Sequence, residues 1–369
     1  MKRRFTIIGV FCSAIILSGV WLVCRSFGNM GECTQIDNEP NIIPDYSGIV
    51  IPYNIAPLNF RISEKGQAYH VKIHSNSSTS IEIASKTGLM RIPSRKWRAL
   101  LNANKGNKVL IDVYVKDSDN RWHQFQSITN TIAKEDIDTT VVYRFMKPIY
   151  KWWKDMGIYQ RNLIDYDVSP VLLGRSFGQG CLNCHSFVGN APDTMTIGLR
   201  SATYGSHTLL ARNDTIDKIG AKWGYTAWHP SGRMAVYSIN KVRQFFRTGG
   251  MEVRDVVDLD SALLCYHINS KEVICPPELS DKNRLETYPT WSPDGRYLYY
   301  CSAPVLWSDR DTVPPENYDK LKYDLCRIPY DVETNQWGQA ETVLAAEDTG
   351  LSILLPRISP DGRFLLFCM

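Results

Sequence analysis

The segment Tyr288-Pro-Thr-Trp-Ser-Pro-Asp-Gly-Arg296, followed by the apolar run Tyr297-Leu-Tyr-Tyr-Cys301, occurs in three related copies. An earlier copy covers 225–238 and a later one covers 355–368, and their prolines Pro230, Pro293 and Pro360 recur at intervals of 63 and 67 residues. Each copy predicts a strand, a tight turn built on Pro and Gly, and a second strand, which together form a hairpin. Hairpins that recur at a fixed interval of this kind are typical of propeller blades.

The three copies resemble the blades of the TolB-like β-propeller family, which carry Trp-Ser-Pro-Asp-Gly-Arg before a hydrophobic strand. The resemblance covers about residues 222–369, and the first copy departs from it as His229-Pro-Ser-Gly-Arg233. In that family the motif is structural, so the resemblance implies turn residues rather than catalytic ones. We therefore expect His229 to be a turn residue that faces solvent.

The repeats account for about three blades, whereas propellers close with four to eight. The third copy stops at Met369, directly after its motif strand. We expect an open, crescent-shaped partial propeller whose edge exposes Leu365 and Phe367. This expectation implies a truncated sequence, and the alternative is that a partner chain completes the ring.

The part of the chain before the repeats predicts short alternating strands and one helix. Period-two patterns indicate antiparallel strands near 58–62, 69–73, 80–84, 109–115 and 139–143. The helix begins with Ser94 as its N-cap and buries Trp97, Leu100 and Leu101. A second, amphipathic linker helix is predicted over 148–163 from the helical spacing of Ile149, Trp152, Trp153 and Met156.

The motif that carries chemistry is Cys181-Leu-Asn-Cys184-His185, the C-x-x-C-H attachment signature of haem c. Two thiols at this spacing reach the two vinyl groups of one porphyrin, and the following histidine lies under the iron as its proximal ligand. A thioredoxin-like redox pair lacks its βαβ context, a zinc site lacks a second C-x-x-C, and a disulfide within the motif would be strained. In these residues the chain resembles mono-haem c-type cytochromes, although 186–221 lacks their helical pattern.

The distal iron ligand stays open at this point. Met195, ten residues beyond His185, is either a distal ligand or core filler, and His207 is a further alternative. Among the other cysteines, Cys265 and Cys275 flank a predicted hairpin and can either pair or remain apart. Cys301 and Cys368 are expected to pack as small apolar residues within strands.

The N-terminus predicts the compartment. Lys2-Arg3-Arg4 precedes an apolar run from Phe5 to Cys24, long enough to span a bilayer, and the positive charges hold its start in the cytoplasm. A retained anchor is the leading interpretation, with a cleaved signal or a lipoprotein as alternatives. All three place the remainder outside the cytoplasm, which agrees with haem attachment in the periplasm.

Charge excludes one class of partner. The formal net charge is +4, and three of these charges lie in Lys2-Arg3-Arg4, so the body is nearly neutral and offers no basic face for nucleic acid. The sequence therefore predicts a mainly β chain with these parts: a signal-anchor or transmembrane segment at 1–34, a small β-sandwich at 40–146, a linker helix with the haem-attachment segment at 147–195, and a partial TolB-like propeller at 196–369.

The expected function is that of a membrane-tethered periplasmic cytochrome with one covalent haem c. It would transfer electrons to or from a docked redox partner. The alternative is a TolB-like binding or scaffold protein with no redox role, and a haem enzyme or sensor is a third hypothesis.

Overall fold

The computed structural model describes residues 33–76, 79–146, 156–246 and 254–369. The chain is mainly β and divides into two compact units. The first unit extends to Val141 and includes Gln160–Ser169, and the second comprises Val142–Tyr159 and Pro170–Met369. This division differs from the predicted boundaries at 146 and 195, because the segment expected to link two domains contributes strands to both units.

Short strands and one helix build the first unit. They are β1 (Cys33–Ile36), β2 (Ile42–Ile43), β3 (Val50–Ile51), β4 (Phe60–Ile62), β5 (Ala68–His74), β6 (Ser80–Ser85), β7 (Leu89–Met90), α1 (Ser94–Ala103), β8 (Lys108–Lys116), β9 (Trp122–Phe125) and β10 (Ile128–Ile132).

The central strand of the first unit is β8. It pairs antiparallel with β5 along one edge and with β9 and β10 along the other, while β6 continues the sheet beyond β5. Strands β1 and β3 join in parallel at β9 and β10. A smaller sheet of β2, β4 and β7 shares one apolar core with this seven-stranded sheet and with α1. These two β-layers and α1 therefore share one core, as the strand pairing and the apolar cluster show.

The helix α1 buries the predicted face, since Trp97, Leu100 and Leu101 are all buried. Its predicted cap is displaced by one position, because Pro93 is the N-cap and Ser94 is already helical. The Trp97 indole donates a hydrogen bond of 3.1 Å to the carbonyl of Ile55, so the one polar group of this buried side chain has a hydrogen-bond partner.

The remaining strands follow in chain order. They are β11 (Thr140–Phe145), β12 (Gly157–Asn162), β13 (Val168–Leu173), β14 (Cys181–Phe187), β15 (Thr194–Ser201), β16 (Gly205–Arg212), β17 (Thr215–Ile219), β18 (Thr226–Trp228), β19 (Met234–Phe246), β20 (Arg254–His267), β21 (Glu272–Ile274), β22 (Arg284–Trp291), β23 (Tyr297–Pro304), β24 (Asp324–Asp331), β25 (Gln336–Trp337), β26 (Glu341–Leu344), β27 (Leu354–Ile358) and β28 (Leu365–Cys368). A short helix, α2 (Ala346–Thr349), lies between β26 and β27.

These strands form consecutive sheets. The first is β11-β12-β13, and two four-stranded meanders follow, β14-β15-β16-β17 and β18-β19-β20-β21. A five-stranded sheet of β22 to β26 comes next, and the hairpin β27-β28 is last. Within the second unit, each apolar cluster joins neighbouring sheets of this series, so the sheets pack face to face in chain order.

The repeated motifs form the predicted hairpin turns. In the second copy Gly295 donates to the Ser292 carbonyl at 2.9 Å, and the Ser292 hydroxyl donates to Asp294 at 2.6 Å. The third copy repeats both bonds with Gly362, Ser359 and Asp361. Gly295 has a φ of +73°, a left-handed conformation that glycine adopts without strain.

Two expectations about β-structure are wrong in detail. The predicted helix over 148–163 is replaced at its end by β12, and residues 147–155 lie outside the described part of the chain. In the last hairpin Leu365 and Phe367 are half-buried, whereas Phe364 and Leu366 are 65% and 74% exposed. The hairpin therefore presents to solvent the face opposite to the expected one, because Leu365 and Phe367 point toward the protein.

Candidate functional site

The attachment motif forms β14, the first strand of a four-stranded sheet. Cys181 to Asn183 pair in register with Arg200 to Gly198 of β15, and pairing resumes at Ser186 opposite Thr196. Two residues of β14, Cys184 and His185, thus oppose one residue of β15, which is a β-bulge. A bulge interrupts the regular alternation of side-chain directions along a strand, so the backbone conformation here sets the directions of the Cys184 and His185 side chains.

The conformation of the bulge is fixed by local contacts. Cys184 has a left-handed φ of +59°, and its amide donates to the Asn183 side-chain oxygen at 2.8 Å. Gly198 is opposite Asn183, and a Cβ there would meet the Asn183 carbonyl at 2.9 Å and the Lys222 side chain at 3.0 Å. Glycine is therefore required at 198 for β15 to approach the motif.

Both thiols and the imidazole of the motif line one cavity of about 1310 Å³. Every residue that lines it belongs to the second unit. The cavity is bounded by β14, by the segment 222–226, by β19 and by parts of β11, β20, β22 and β27. Its size exceeds the usual range of about 300–1000 Å³ for small-molecule pockets, so a large organic ligand fits inside it.

The three motif side chains differ in burial and in the groups that they contact. Cys181 is 4% exposed, and burial raises the pKa of its thiol. Burial lowers the pKa of His185, and this effect outweighs the opposing hydrogen bond to the Val142 carbonyl, at 3.4 Å from Nε2. Lys222 Nζ lies 3.4 Å from the Sγ atom of Cys184. Burial therefore favours the neutral forms of His185 and Cys181, and the sulfur of Cys184 lies beside the side-chain nitrogen of Lys222.

The charged lining of the cavity is entirely cationic. No Asp or Glu is among the described residues that line it, and its six basic side chains are Arg144, Arg200, Lys222, Lys241, Arg243 and Arg357. Arg144 donates to the side chain of Asn183, within the motif itself. A concave surface with charges of one sign focuses the field and attracts anions. The cavity is therefore suited to a ligand with negative charge.

Apolar side chains supply much of the remaining surface. Ile239, Val242 and Val256 line the cavity and are 42%, 40% and 55% exposed. Tyr225 and Tyr288 add an aromatic pair with ring centroids 4.2 Å apart. Exposed apolar groups inside a cavity gain free energy when a ligand covers them, at about 25 cal/mol per Å². The lining therefore favours a ligand with an apolar body and anionic groups.

The structure does not bring the predicted distal ligand into this cavity. Met195 lies opposite Phe187 in the β14–β15 pairing and packs in the apolar cluster around Leu182 and Ile197. His207 lies on β16, where its Nδ1 is 2.8 Å from the Gly220 carbonyl. Neither side chain lines the cavity.

The prediction for His229 is wrong in its exposure. His229 is 3% exposed, and its Nε2 lies 3.1 Å from the carbonyl of Gly295 in the next repeat. Its ring packs edge-on against Trp291 at 4.7 Å and against Tyr330 at 5.7 Å. The position is a packing contact between two hairpin turns, which is why an aromatic ring replaces the serine of the other copies.

No disulfide joins the other cysteines that the structure describes. Cys265 pairs in register with Ile274, so it is offset by one residue from Cys275; the first is buried and the second is exposed. Their side chains thus lie on opposite faces and form no disulfide. Cys301 is buried, as expected, but Cys368 is exposed, contrary to expectation.

The expectation of a metal-binding group formed by side chains is wrong. Among residues 33–76, 79–146, 156–246 and 254–369, no three His, Cys, Asp or Glu side chains gather closely enough to hold a metal ion. The physical reason is the placement just described, in which His185 is the only histidine of the cavity lining and Met195 belongs to the core. In the same part of the chain no helix has the length and apolarity to cross a membrane; the predicted span from Phe5 to Cys24 lies outside it.

Sequence reasoning missed the cationic lining and Met156, which is buried and also lines the cavity. The six basic residues are spread over 214 positions from Arg144 to Arg357, and no local pattern connects them. Only the tandem Lys241-Val-Arg243 gave a visible signal, within the strand after the first repeat.

Comparison with known proteins gives no family. No family model and no curated protein matches the chain. Among solved structures, an oligogalacturonate lyase from Vibrio parahaemolyticus aligns with 10% identity and a TM-score of 0.34 over 78% of this chain and 66% of that one. This chain thus covers slightly less than two thirds of that protein.

Two further structures are similar at the same level. An oligogalacturonate lyase in complex with manganese aligns with 11% identity and a TM-score of 0.32, covering 82% of this chain and 94% of that one. A D477G ACO/RPE65 chimera aligns with 12% identity and a TM-score of 0.30, over 84% and 74%. At such scores these similarities carry no argument about the activity of this chain, which has to be inferred from its own residues.

Proposed function

We propose that the second unit carries one covalent haem c, attached through Cys181 and Cys184, with His185 as an axial ligand. We further propose that the chain is a periplasmic electron-transfer protein, tethered to the membrane by its N-terminal segment, and that its consecutive sheets are blades of a partial TolB-like propeller. The observation that carries the proposal is the cavity. It collects both thiols and the imidazole of the motif on one apolar, cation-lined surface.

The donor set fits the group. Neither thiol is in a disulfide, and Cys181 and Cys184 would hold the group through two thioether bonds, formed by adding each S–H across one vinyl group. No oxidant or reductant is consumed in this addition.

The imidazole of His185 fits the role of an axial donor. Burial lowers its pKa and so favours the neutral form, and the Val142 carbonyl accepts a hydrogen bond from Nε2, which leaves the lone pair on Nδ1. Ligating histidines commonly donate their second nitrogen to a carbonyl in this way, which fixes the tautomer and the ring orientation. A porphyrin supplies four nitrogen ligands of its own, so a single protein donor suffices where a free metal ion would need several.

The lining also matches the remainder of the group. A porphyrin has a broad apolar body and two carboxylates, and the cavity offers apolar side chains and cations without an opposing acid. When bound, haem supplies one-electron redox chemistry at iron. The residues of this chain attach it, orient it and exclude water from one of its faces.

The test is covalent attachment in the full chain, made with a cytochrome maturation system. We expect wild type to retain haem after denaturation, and the variant Cys181→Ala with Cys184→Ala to lose it. The matched control is Cys275→Ala with Cys368→Ala, which removes two exposed thiols outside the cavity and should retain haem. His185→Ala should keep the attachment but change the visible absorption of the iron. A colourless wild type, or haem retained by the first variant, would refute the proposal.

A second candidate function rests on the charge of the lining. Six cations without a carboxylate also suit a binding protein for anionic ligands that contains no haem. A wild type that stays colourless after expression with the maturation system, yet binds an organic anion, would favour this candidate.

A further inference from the structure

The six cations of the lining form two sets of three according to their position relative to the motif, and Arg200 of the first set lies opposite Cys181 in the β14–β15 pairing. Arg144 and Lys222 contact the motif itself, through Asn183 and the sulfur of Cys184. A second set, Lys241, Arg243 and Arg357, lies on β19 and β27, which are strands of other sheets. We call the surface formed by the residues 239–244, Val256 and Arg357 the distal wall.

The distal wall is built to meet an amphipathic ligand. Opposite Lys241 and Val242 the bulge lies on β20, where Leu259 is the additional residue, and the six consecutive residues 239–244 of β19 all line the cavity, so residues of both chemical kinds face it. Its apolar members, Ile239, Val242 and Val256, are all 40–55% exposed. Apolar area left open beside cations points to a ligand that contributes a hydrocarbon body together with negative charge.

The cations of the distal wall are available to such a ligand. Lys241 has a pairing partner, Asp311, at 2.6 Å, but that carboxylate is 85% exposed, and solvent screening leaves exposed pairs of this kind weak. Arg357 donates one bond to the neighbouring Pro356 carbonyl, and a guanidinium has five donors. In the part of the chain that the structure describes, no acid pairs with Arg243.

We propose that the distal wall is a carboxylate-binding site, and that its ligand is an organic acid with an apolar body. Arginine binds carboxylates through two parallel hydrogen bonds, which provides orientation as well as charge. The carboxylates have two candidate sources. They are the propionates of a haem attached at Cys181 and Cys184, a source that rests on the proposed function, or they belong to a separate, freely diffusing acid.

The first experiment measures affinity in the full chain made haem-free by Cys181→Ser and Cys184→Ser. The probes are haemin, haemin dimethyl ester and isophthalate, an aromatic ring with two carboxylates. The test variant is Arg243→Gln with Arg357→Gln. Its matched control, Arg296→Gln with Arg363→Gln, removes two exposed arginines from hairpin turns outside the cavity.

We expect the test variant to weaken haemin at least tenfold and the control to change it less than twofold. Binding of the dimethyl ester should be indifferent to both substitutions, since it carries no carboxylate. Equal effects of test and control pairs, or an ester that responds as haemin does, would overturn the proposal. Because both arginines are exposed, the variants should fold, and circular dichroism checks that they do. The single variant Arg243→Gln repeats the affinity measurement in a chain with only one arginine replaced.

The second experiment identifies the source. If isophthalate binds the haem-free chain but not the haem-loaded wild type, the haem propionates occupy the distal wall. Isophthalate that binds both assigns it to a separate acid. If the chain never attaches haem but still prefers haemin to its dimethyl ester in a way that depends on Arg243 and Arg357, the proposed function is refuted and this inference stands. The two failures are therefore distinguishable.

Discussion

Replacing Gly295 by alanine tests how the repeats of the second unit lock together. Gly295 has a φ of +73°, and a Cβ there would overlap the Nε2 atom of His229, whose ring also bonds the Gly295 carbonyl. The ring cannot move aside easily, because it is buried and packs against Trp291 and Tyr330. The substitution should therefore add a steric cost to the conformational one.

The magnitude follows from a matched position. Gly362 has nearly the same φ, +71°, but the nearest atom to its Cβ is Pro293 Cδ at 3.8 Å. Gly362→Ala should cost only the left-handed conformation, roughly 1–2 kcal/mol. Gly295→Ala should cost a further 1–3 kcal/mol or so from overpacking. For a unit of about 200 residues that difference lowers Tm by at least about 2 °C.

The assay is calorimetry of both glycine variants, each in wild type and in a His229→Ser background. The serine restores the residue of the other two copies and removes the ring that Gly295→Ala would strike. We expect the extra penalty of Gly295→Ala to disappear in that background, while the penalty of Gly362→Ala stays unchanged. Equal costs of the two substitutions in wild type, or a penalty that survives His229→Ser, would contradict the proposed contact between turns.

Three other substitutions probe separate parts of the chain. Burial raises the pKa of Glu286 from 4.5 to about 7, so ionisation of its carboxyl lowers the stability of the folded state as pH rises through that window. The effect of Glu286→Gln on the free energy of unfolding, measured with urea, should therefore be more stabilising at pH 8 than at pH 4 by up to roughly 3 kcal/mol. An effect that is the same at both pH values would contradict this. Trp97→Ala should cost about 3–5 kcal/mol in the first unit through lost core volume and the lost bond to Ile55, measured by calorimetry, and a cost below about 1 kcal/mol would show that the site collapses. Ser292→Ala should cost about 1 kcal/mol by removing the acceptor of the Tyr297 amide, with an unchanged Tm as the opposing result.

Local chemistry determined what the sequence predicted well. The three hairpins follow from Pro-Asp-Gly turns between apolar runs, and the structure confirms the turn bonds at Ser292 and Ser359. The buried face of α1 follows from the spacing of Trp97, Leu100 and Leu101, and is confirmed as well. Both features depend on residues close together in sequence, where turn geometry and helical period act directly.

Long-range pairing determined what the sequence missed. Strand β12 replaces the end of a predicted helix because β11 and β13 are available on both sides, and no local pattern encodes those partners. Likewise His229 was expected in solvent, but its environment is set by Trp291 and Tyr330, which lie 62 and 101 residues further along the chain. A single sequence shows the side chain and not the surface that it meets.

The candidate site combines the two kinds of information. Its attachment motif is readable within five residues, and those residues form a bulge because Cys184 adopts a left-handed φ and Gly198 allows close approach. Its cations and exposed apolar side chains come from several sheets and are visible only after folding. Since Cys181 and Cys184 can be replaced without touching the distal wall, the proposed haem attachment and the proposed anion binding can be tested by separate mutations. If the cavity evolved around one amphipathic, anionic ligand, both parts should contribute to binding the same molecule, and loss of either should weaken it.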